Sequence, residues 1–223
     1  MTAPRVLFST GALYLHPLRT AFEVARAAGC DGIELDACLE TMVCGPGVAA
    51  HLSAETGLPV GAVHPPLFRL PGWRDDRTVV PRVVDLGLAL GASTIVFHPP
   101  RVRSLDHPRV DQFVSLLDEA RRRLEGTGSQ IALENPPVFS AADHVYPLWH
   151  IPALARLAER CGLPIALDTA HAGASPYPLM DAYAITRERL AHVHLSDLRE
   201  PPRWLDHRWL HSYVKHHQLV GVG

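Results

Sequence analysis

The sequence predicts an α/β fold: a (β/α) barrel of parallel strands with seven βα units, the eighth missing or truncated. Three observations carry that expectation. Seven short apolar runs recur along the chain, stretches of helical periodicity separate them, and five successive runs end in a carboxylate or an imidazole. The alternative, an open doubly wound sheet, calls for a glycine-rich phosphate loop after an early strand. Neither G-x-G-x-x-G nor G-x-x-x-x-G-K-[ST] occurs.

RVLFST opens the series. PLRTAFEVARAAG follows as a helix, with Leu18, Phe22, Val24 and Ala25 placed mainly on one face and a stop at Gly29. GIELDA is the second strand and LPVGAVHPP the third. The helix VPRVVDLGLALGA leads into the fourth strand, STIVFHPP, and VDQFVSLLDEARRRLEG into the fifth, QIALENPP. HIPALARLAERCG is the next helix, LPIALDTAHAG the sixth strand and LAHVHLSD the seventh. β-branched or Leu-rich runs alternating with such helices argue for a parallel sheet. No composition shift or low-complexity linker divides the chain, so residues 1–223 are read as a single domain, short at its C-terminal end. Barrels of this kind typically take ~250 residues.

The 223 residues suffice for one large core, and 47% hydrophobic with 20% charged residues is ordinary globular composition. No run approaches the ~20 apolar residues of a spanning helix, and the opening MTAPRVLFST lacks the layout of a signal peptide. A cytoplasmic protein without a membrane partner is expected. Cys30, Cys38, Cys44 and Cys161 contain no C-x-x-C pair and are expected as buried thiols. A formal net charge of -2 gives no long-range attraction for nucleic acid.

The strand ends hold the chemistry. The third run ends in His64, the fourth in His98, and the fifth in Glu134 followed by Asn135. The sixth ends in Asp168 with His171 three positions on, and the seventh carries His192 and His194 with Asp197 following. In a parallel barrel all such ends meet at one rim, where active sites lie. A lone histidine near a strand end is usually a satisfied core or surface residue. As a set these residues resist that reading, because a buried carboxylate pair costs several kcal/mol unless a cation or hydrogen bonds compensate it. Carboxylate and imidazole are the usual ligands of divalent ions.

The ordered series GCDGIELDA, His64-Pro-Pro, VFHPP, ALENPP, LDTAHAG and VHLSD resembles the xylose isomerase-like TIM barrel superfamily over almost the entire chain. That group includes sugar and sugar-phosphate isomerases and epimerases and the endonuclease IV branch of apurinic-site nucleases. The resemblance implies that Glu134, Asp168 and His194 hold a common divalent ion (Mn, Mg, Co or Zn). It places His64 and His98 where the endonuclease branch binds a second ion, and His171 and His217, the latter in HHQLVGVG, where it binds a third, up to three Zn in all. His171 is alternatively a group that steers substrate. Three departures qualify the match. Lys215 stands where the endonuclease branch has an aspartate, the strand-eight glutamate of the family lies beyond this sequence, and GIELDA is similar to the isomerase pattern.

The resemblance implies a metal-dependent isomerase or epimerase of a sugar, sugar phosphate or similar hydroxy-carbonyl compound, working through an enediolate. Glu134 and His171 are its catalytic candidates, and Asn135, Arg69, Trp73 and Asp197 its candidate substrate contacts. The alternatives are an endonuclease IV-like zinc phosphodiesterase acting on apurinic DNA and a truncated barrel with little turnover. Unpaired edges on the first and seventh strands make a second copy of the chain a candidate partner. The run Arg121–Arg123, late in a helix, reads as a solvated face. Trp204 and Trp209 are expected to pack, and His51 and His144 have no evident partner.

Overall fold

All seven apolar runs become strands in the computed structural model, which describes residues 4–68, 70–202, 204, 206–207, 210 and 215–221. In chain order these are β1 (Leu7–Ser9), α1 (Leu18–Ala27), β2 (Gly32–Asp36), α2 (Leu39–Cys44), α3 (Gly47–Thr56), β3 (Val60–His64), α4 (Asp76–Leu90) and β4 (Thr94–Phe97). There follow α5 (Pro108–Leu124), β5 (Gln130–Glu134), α6 (Ile151–Cys161), β6 (Ile165–Asp168), α7 (Thr169–Gly173), α8 (Leu179–Thr186) and β7 (Leu190–His194). The architecture is the α/β type expected of seven βα units. Two compact units are distinguished, one made of the residues up to Phe97 with Leu116–Ile131, the other of His98–Ser115 with the residues from Ala132 onward.

In the first unit, β1 to β4 pair in parallel and in sequence order, with Leu7 beside Gly32, Asp36 beside His64 and Ala62 beside Thr94. β2, β3 and β4 are buried on both faces, as parallel strands are. α1 buries Leu18, Ala21, Phe22 and Ala25, the i, i+3, i+4, i+7 stripe of an amphipathic helix. Val24, expected on that face, is 40% exposed. Six residues from Leu18 is about 240° around the axis, on the solvent side. α4 starts at Asp75, whose side chain accepts from the Arg77 amide at 2.9 Å. It lies close to β4 because Gly87 has no side chain. A Cβ there would stand 2.6 Å from Ile95 Cδ1.

In the second unit, β5, β6 and β7 pair in parallel, with Glu134 beside Ala166 and Asp168 beside His194. α6 buries Ile151, Leu154, Leu157, Ala158 and Cys161, and Gly162 closes it in the left-handed region (φ 64°). Ile151, Leu167, Ala172 and Ala182 form a core cluster with Tyr177 and Leu190 against it.

Several expectations change. β4 stops at Phe97, so His98 stands one residue beyond the strand. All four cysteines are free thiols and Cys38 and Cys161 are buried, but Cys44, in the last turn of the short α2, is exposed. Trp204 is 74% exposed and does not pack, and Trp209 lies outside the described residues. Arg121, Arg122 and Arg123 are exposed in the last turn of α5, with Arg123 paired to Asp85. Among the described residues no helix is long and apolar enough to cross a membrane.

Candidate metal centre

Glu134, Asp168 and His194 are the last residues of β5, β6 and β7. Glu134 pairs with Ala166, two residues before Asp168, and Asp168 pairs with His194. Side chains two apart along a strand share a face, so the register alone sets all three on one side of the sheet. His194 Nδ1 is 3.1 Å from Glu134 Oε1 and 3.7 Å from Asp168 Oδ2.

Three further imidazoles of the same unit join this centre. His98 Nε2 is 3.1 Å from Glu134 Oε2. His171 follows from the turn after β6, where Asp168 caps α7 by accepting from the His171 amide at 2.7 Å. Its Nδ1 donates to the Asn135 carbonyl at 2.9 Å and is 3.2 Å from Glu134 Oε1, which leaves Nε2 to meet His217 Nε2 at 3.3 Å. His217 Nδ1 is 3.6 Å from Asp168 Oδ2. His192, on the same strand as His194, has its ring 5.1 Å from that residue's.

The candidate substrate contacts fare differently. The Asn135 side chain behaves as a strand partner, its Nδ2 donating to the Asp168 carbonyl at 3.0 Å and its Oδ1 accepting from the Asp168 amide at 2.8 Å. Asp197 accepts from the backbone amides of Leu198 and Gly221, both at 2.9 Å. Trp73 belongs to the first unit, where the Arg82 guanidinium lies 5.2 Å over its ring. Arg69 lies outside the described residues. Lys215 pairs with Glu200 at 2.8 Å. His51 lies 3.6 Å from Glu55, and the His144 carbonyl accepts from His150.

His64 is in the first unit, with Nδ1 donating to the Pro65 carbonyl at 2.8 Å and 3.3 Å from Asp36 Oδ1. The sequence reading passed over Asp36, although it ends its strand by the same rule as Asp168. Its Oδ2 accepts from the Gly11 amide at 2.7 Å, the Ser9 hydroxyl at 3.0 Å and the Thr10 hydroxyl at 3.4 Å. His216 was also missed. It is fully buried, edge-on to Phe139, and neither ring nitrogen has a hydrogen-bond partner among the described residues.

The charges are balanced by imidazoles. Burial alone would raise the Glu134 carboxyl, but His194 and His98, with hydrogen bonds from His171 and His194, hold it well below the usual range. Asp168 is likewise lowered against its burial, chiefly by His171. His171 is raised despite burial, because Asp168 and Glu134 favour its cation. Burial and the neighbouring His171 lower His217, and the same causes push His216 down to about 3.

These residues fit a divalent ion. Ligand bonds of ~2.0–2.2 Å put neighbouring donor atoms about 3–3.5 Å apart, close to the 3.1 and 3.7 Å seen around His194. Asp168 is 0% exposed, yet its Oδ2 has no hydrogen-bond partner among the described residues, a costly arrangement that a cation relieves. Glu134, Asp168 and His194 offer donor atoms all within 4.8 Å of one another, and Asp168, His171 and His217 offer a second, overlapping set.

No curated protein matches the sequence. Solved structures do. A D-tagatose 3-epimerase-like protein superposes with a TM-score of 0.68 at 19% identity, covering 88% of this chain and 77% of its own. The 3-keto-D-glucoside 4-epimerase of E. coli gives 0.65 at 19% identity, over 87% of this chain and 80% of that one. A probable 3-DHS dehydratase from Bacillus anthracis gives 0.67 at 14% identity, over 94% and 77%. At these identities the likeness is one of fold. The model of one family matches residues 22–221, and by that match the chain belongs to the xylose isomerase-like TIM barrel family.

Proposed function

We propose that the chain is a divalent-metal-dependent isomerase or epimerase of a sugar, sugar phosphate or similar hydroxy-carbonyl compound. The convergence of Glu134, Asp168 and His194 donor atoms on one face of β5, β6 and β7 carries the proposal. These three would hold the ion, and an imidazole beside two carboxylates suits Mn²⁺, Co²⁺ or Zn²⁺ better than Mg²⁺. Once bound, it supplies Lewis-acid polarisation of the substrate's carbonyl and hydroxyl oxygens. Glu134, kept ionised by its imidazole neighbours, takes the proton from the carbon next to the carbonyl and, in isomerisation, delivers it to the former carbonyl carbon while the hydroxyl proton passes to the former carbonyl oxygen. His171 has its ring fixed by the Asn135 carbonyl, and its Nε2, beside His217 in the free protein, would turn from that contact to a substrate oxygen and orient it while charge develops. Asn135 holds Asp168 through its main chain, which keeps both carboxylates in place.

The test is solvent-proton exchange. Ketose and ketose-phosphate substrates incubated in D₂O with Mn²⁺ or Co²⁺ gain deuterium beside the carbonyl, and Glu134→Gln, which keeps an amide oxygen as a weaker ligand, abolishes the gain even at Co²⁺ concentrations that saturate the variant. A chain that binds metal and exchanges no sugar proton defeats the proposal.

The second donor set, Asp168 with His171 and His217, favours a hydrolytic reading in which these residues would hold a further zinc ion, which would supply water activation for the cleavage of apurinic DNA. Elemental analysis of protein purified without added metal separates the two. One ion per chain supports isomerisation, and two or three zinc with nicking of abasic DNA supports hydrolysis.

A further inference from the structure

His217 comes from a segment far from Asp168 in sequence, and its backbone is in the left-handed region (φ 56°), which is unfavourable for a residue with a Cβ. Something must hold it there. Asp197 N donates to Gln218 O and Gln218 N donates to Asp197 O, both at 2.9 Å, an antiparallel bridge at the residue next to His217. The Asp197 carboxylate adds the Gly221 amide on the far side of the same turn and the Leu198 amide at its own corner. Gln218 Nε2 closes the turn onto the His216 carbonyl at 3.0 Å.

The corner bearing Asp197 is itself fixed. Ser196 N donates to Thr169 Oγ1 at 3.0 Å and Thr169 Oγ1 donates to Ser196 O at 2.5 Å, and Thr169 directly follows Asp168. Ser196 Oγ meets His217 Nδ1 at 3.3 Å. The contacts form a circuit that leaves Asp168 through Thr169, passes Ser196, Asp197 and Gln218, and returns through His217.

We infer that Asp197 is the positioning residue that aims His217 at Asp168 and His171, and that its carboxylate acts on the chain's own backbone, not on substrate. The inference rests on the metal reading for its effect on ion binding, but the clamp is a statement about the protein alone. Its two arms of test keep these apart.

In metal-free protein with labelled histidine, the 3.3 Å approach of His171 and His217 predicts a ring-to-ring NOE. Asp197→Ala removes it. Asp197→Asn, which keeps one acceptor and folds more readily, weakens it. An NOE of full strength in folded Asp197→Ala overturns the inference. In the second arm Co²⁺ alone is titrated into wild type, Asp197→Ala, His217→Ala and the double variant. Asp197→Ala and His217→Ala each weaken binding about tenfold or more, and the double variant loses no more than either single. Losses that multiply in the double variant overturn the inference. If Asp168→Ala binds Co²⁺ like wild type, the metal reading fails, and the NOE still decides the clamp.

Discussion

Each unit ends a pair of neighbouring strands with an aspartate beside a histidine: Asp36 beside His64 on β2 and β3, and Asp168 beside His194 on β6 and β7. The local geometry is alike and the surroundings differ. Asp36 Oδ2 takes the Gly11 amide and the hydroxyls of Ser9 and Thr10, so the chain itself supplies its donors. Asp168 gives Oδ1 to the His171 amide, but among the described residues Oδ2 has imidazoles at 3.6 and 3.7 Å and no hydrogen-bond partner. A buried carboxylate saturated by backbone and hydroxyl donors ties structure together, and one with an unsatisfied oxygen is poised for a cation. The donors around the carboxylate, not the strand-end motif, distinguish the two.

The largest effect expected from this contrast is on ion binding. Asp168→Ala should weaken Co²⁺ or Mn²⁺ by ~100-fold or more in a calorimetric titration, whereas Asp36→Ala should leave the affinity within about threefold. Equal losses in the two variants would erase the distinction. Asp36→Ala should act on stability instead, removing the acceptor shared by the Gly11 amide and two hydroxyls at a cost of about 2–3 kcal/mol, read as a midpoint shift in urea.

Chelation comes next. With an ion at ~100 times its Kd, linkage contributes about 2.7 kcal/mol, and for a chain of this length that is a Tm difference of about 5–10 °C. EDTA should lower the Tm of wild type and of Asp36→Ala by that amount and leave Asp168→Ala unmoved in calorimetry.

A smaller, metal-independent effect belongs to the first unit. The Tyr14 hydroxyl donates to the Ala37 carbonyl at 2.9 Å, and burial, then the charges of Asp36 and Cys38, push the phenol up to about 12. A phenol with a folded pKa above its unfolded value of ~10 holds its proton more tightly when folded. Its contribution is therefore complete below pH ~10 and is lost as pH rises through about 12. Absorbance titration at 295 nm of wild type against Tyr14→Phe should show the missing phenol titrating last. The smallest effect is at His51, exposed beside Glu55, where substitution by Ala should change neither metal affinity nor stability by more than ~0.5 kcal/mol.

The central strands were legible because burial on both faces leaves a mainly apolar run, and a polar residue at or just after its end marks the rim. GIELD, VGAVH, QIALE and IALD are each a strand closed by a carboxylate or an imidazole. Helices with a wide apolar stripe were legible too, although Val24 was placed on the wrong side of α1. The short α2, α3 and α8 escaped notice, since they bury only one or two residues each and leave little periodicity to detect. The strand order placed Glu134, Asp168 and His194 at neighbouring strand ends, and the family resemblance singled them out as the candidate ligands of one ion. The engagement of Asn135 with the Asp168 main chain was not, because a side chain that imitates a strand has no sequence signature. Nor was that of Asp197, whose partner amide at Gly221 is separated from it by 24 positions. Burial of His216 depends on packing against Phe139, contributed by a loop that the run of histidines does not reveal.

Asp168 divides its labour between its two oxygens. Oδ1 closes the first turn of α7 through the His171 amide, and Oδ2 faces the imidazoles. An isosteric amide oriented with its oxygen toward α7 would preserve the outline of this corner while turning a donor toward the place of a cation. Shape and reactivity can thus diverge here by exchange of a single atom, and a relative carrying asparagine at this position would be a faithful cast of the fold with its chemistry switched off.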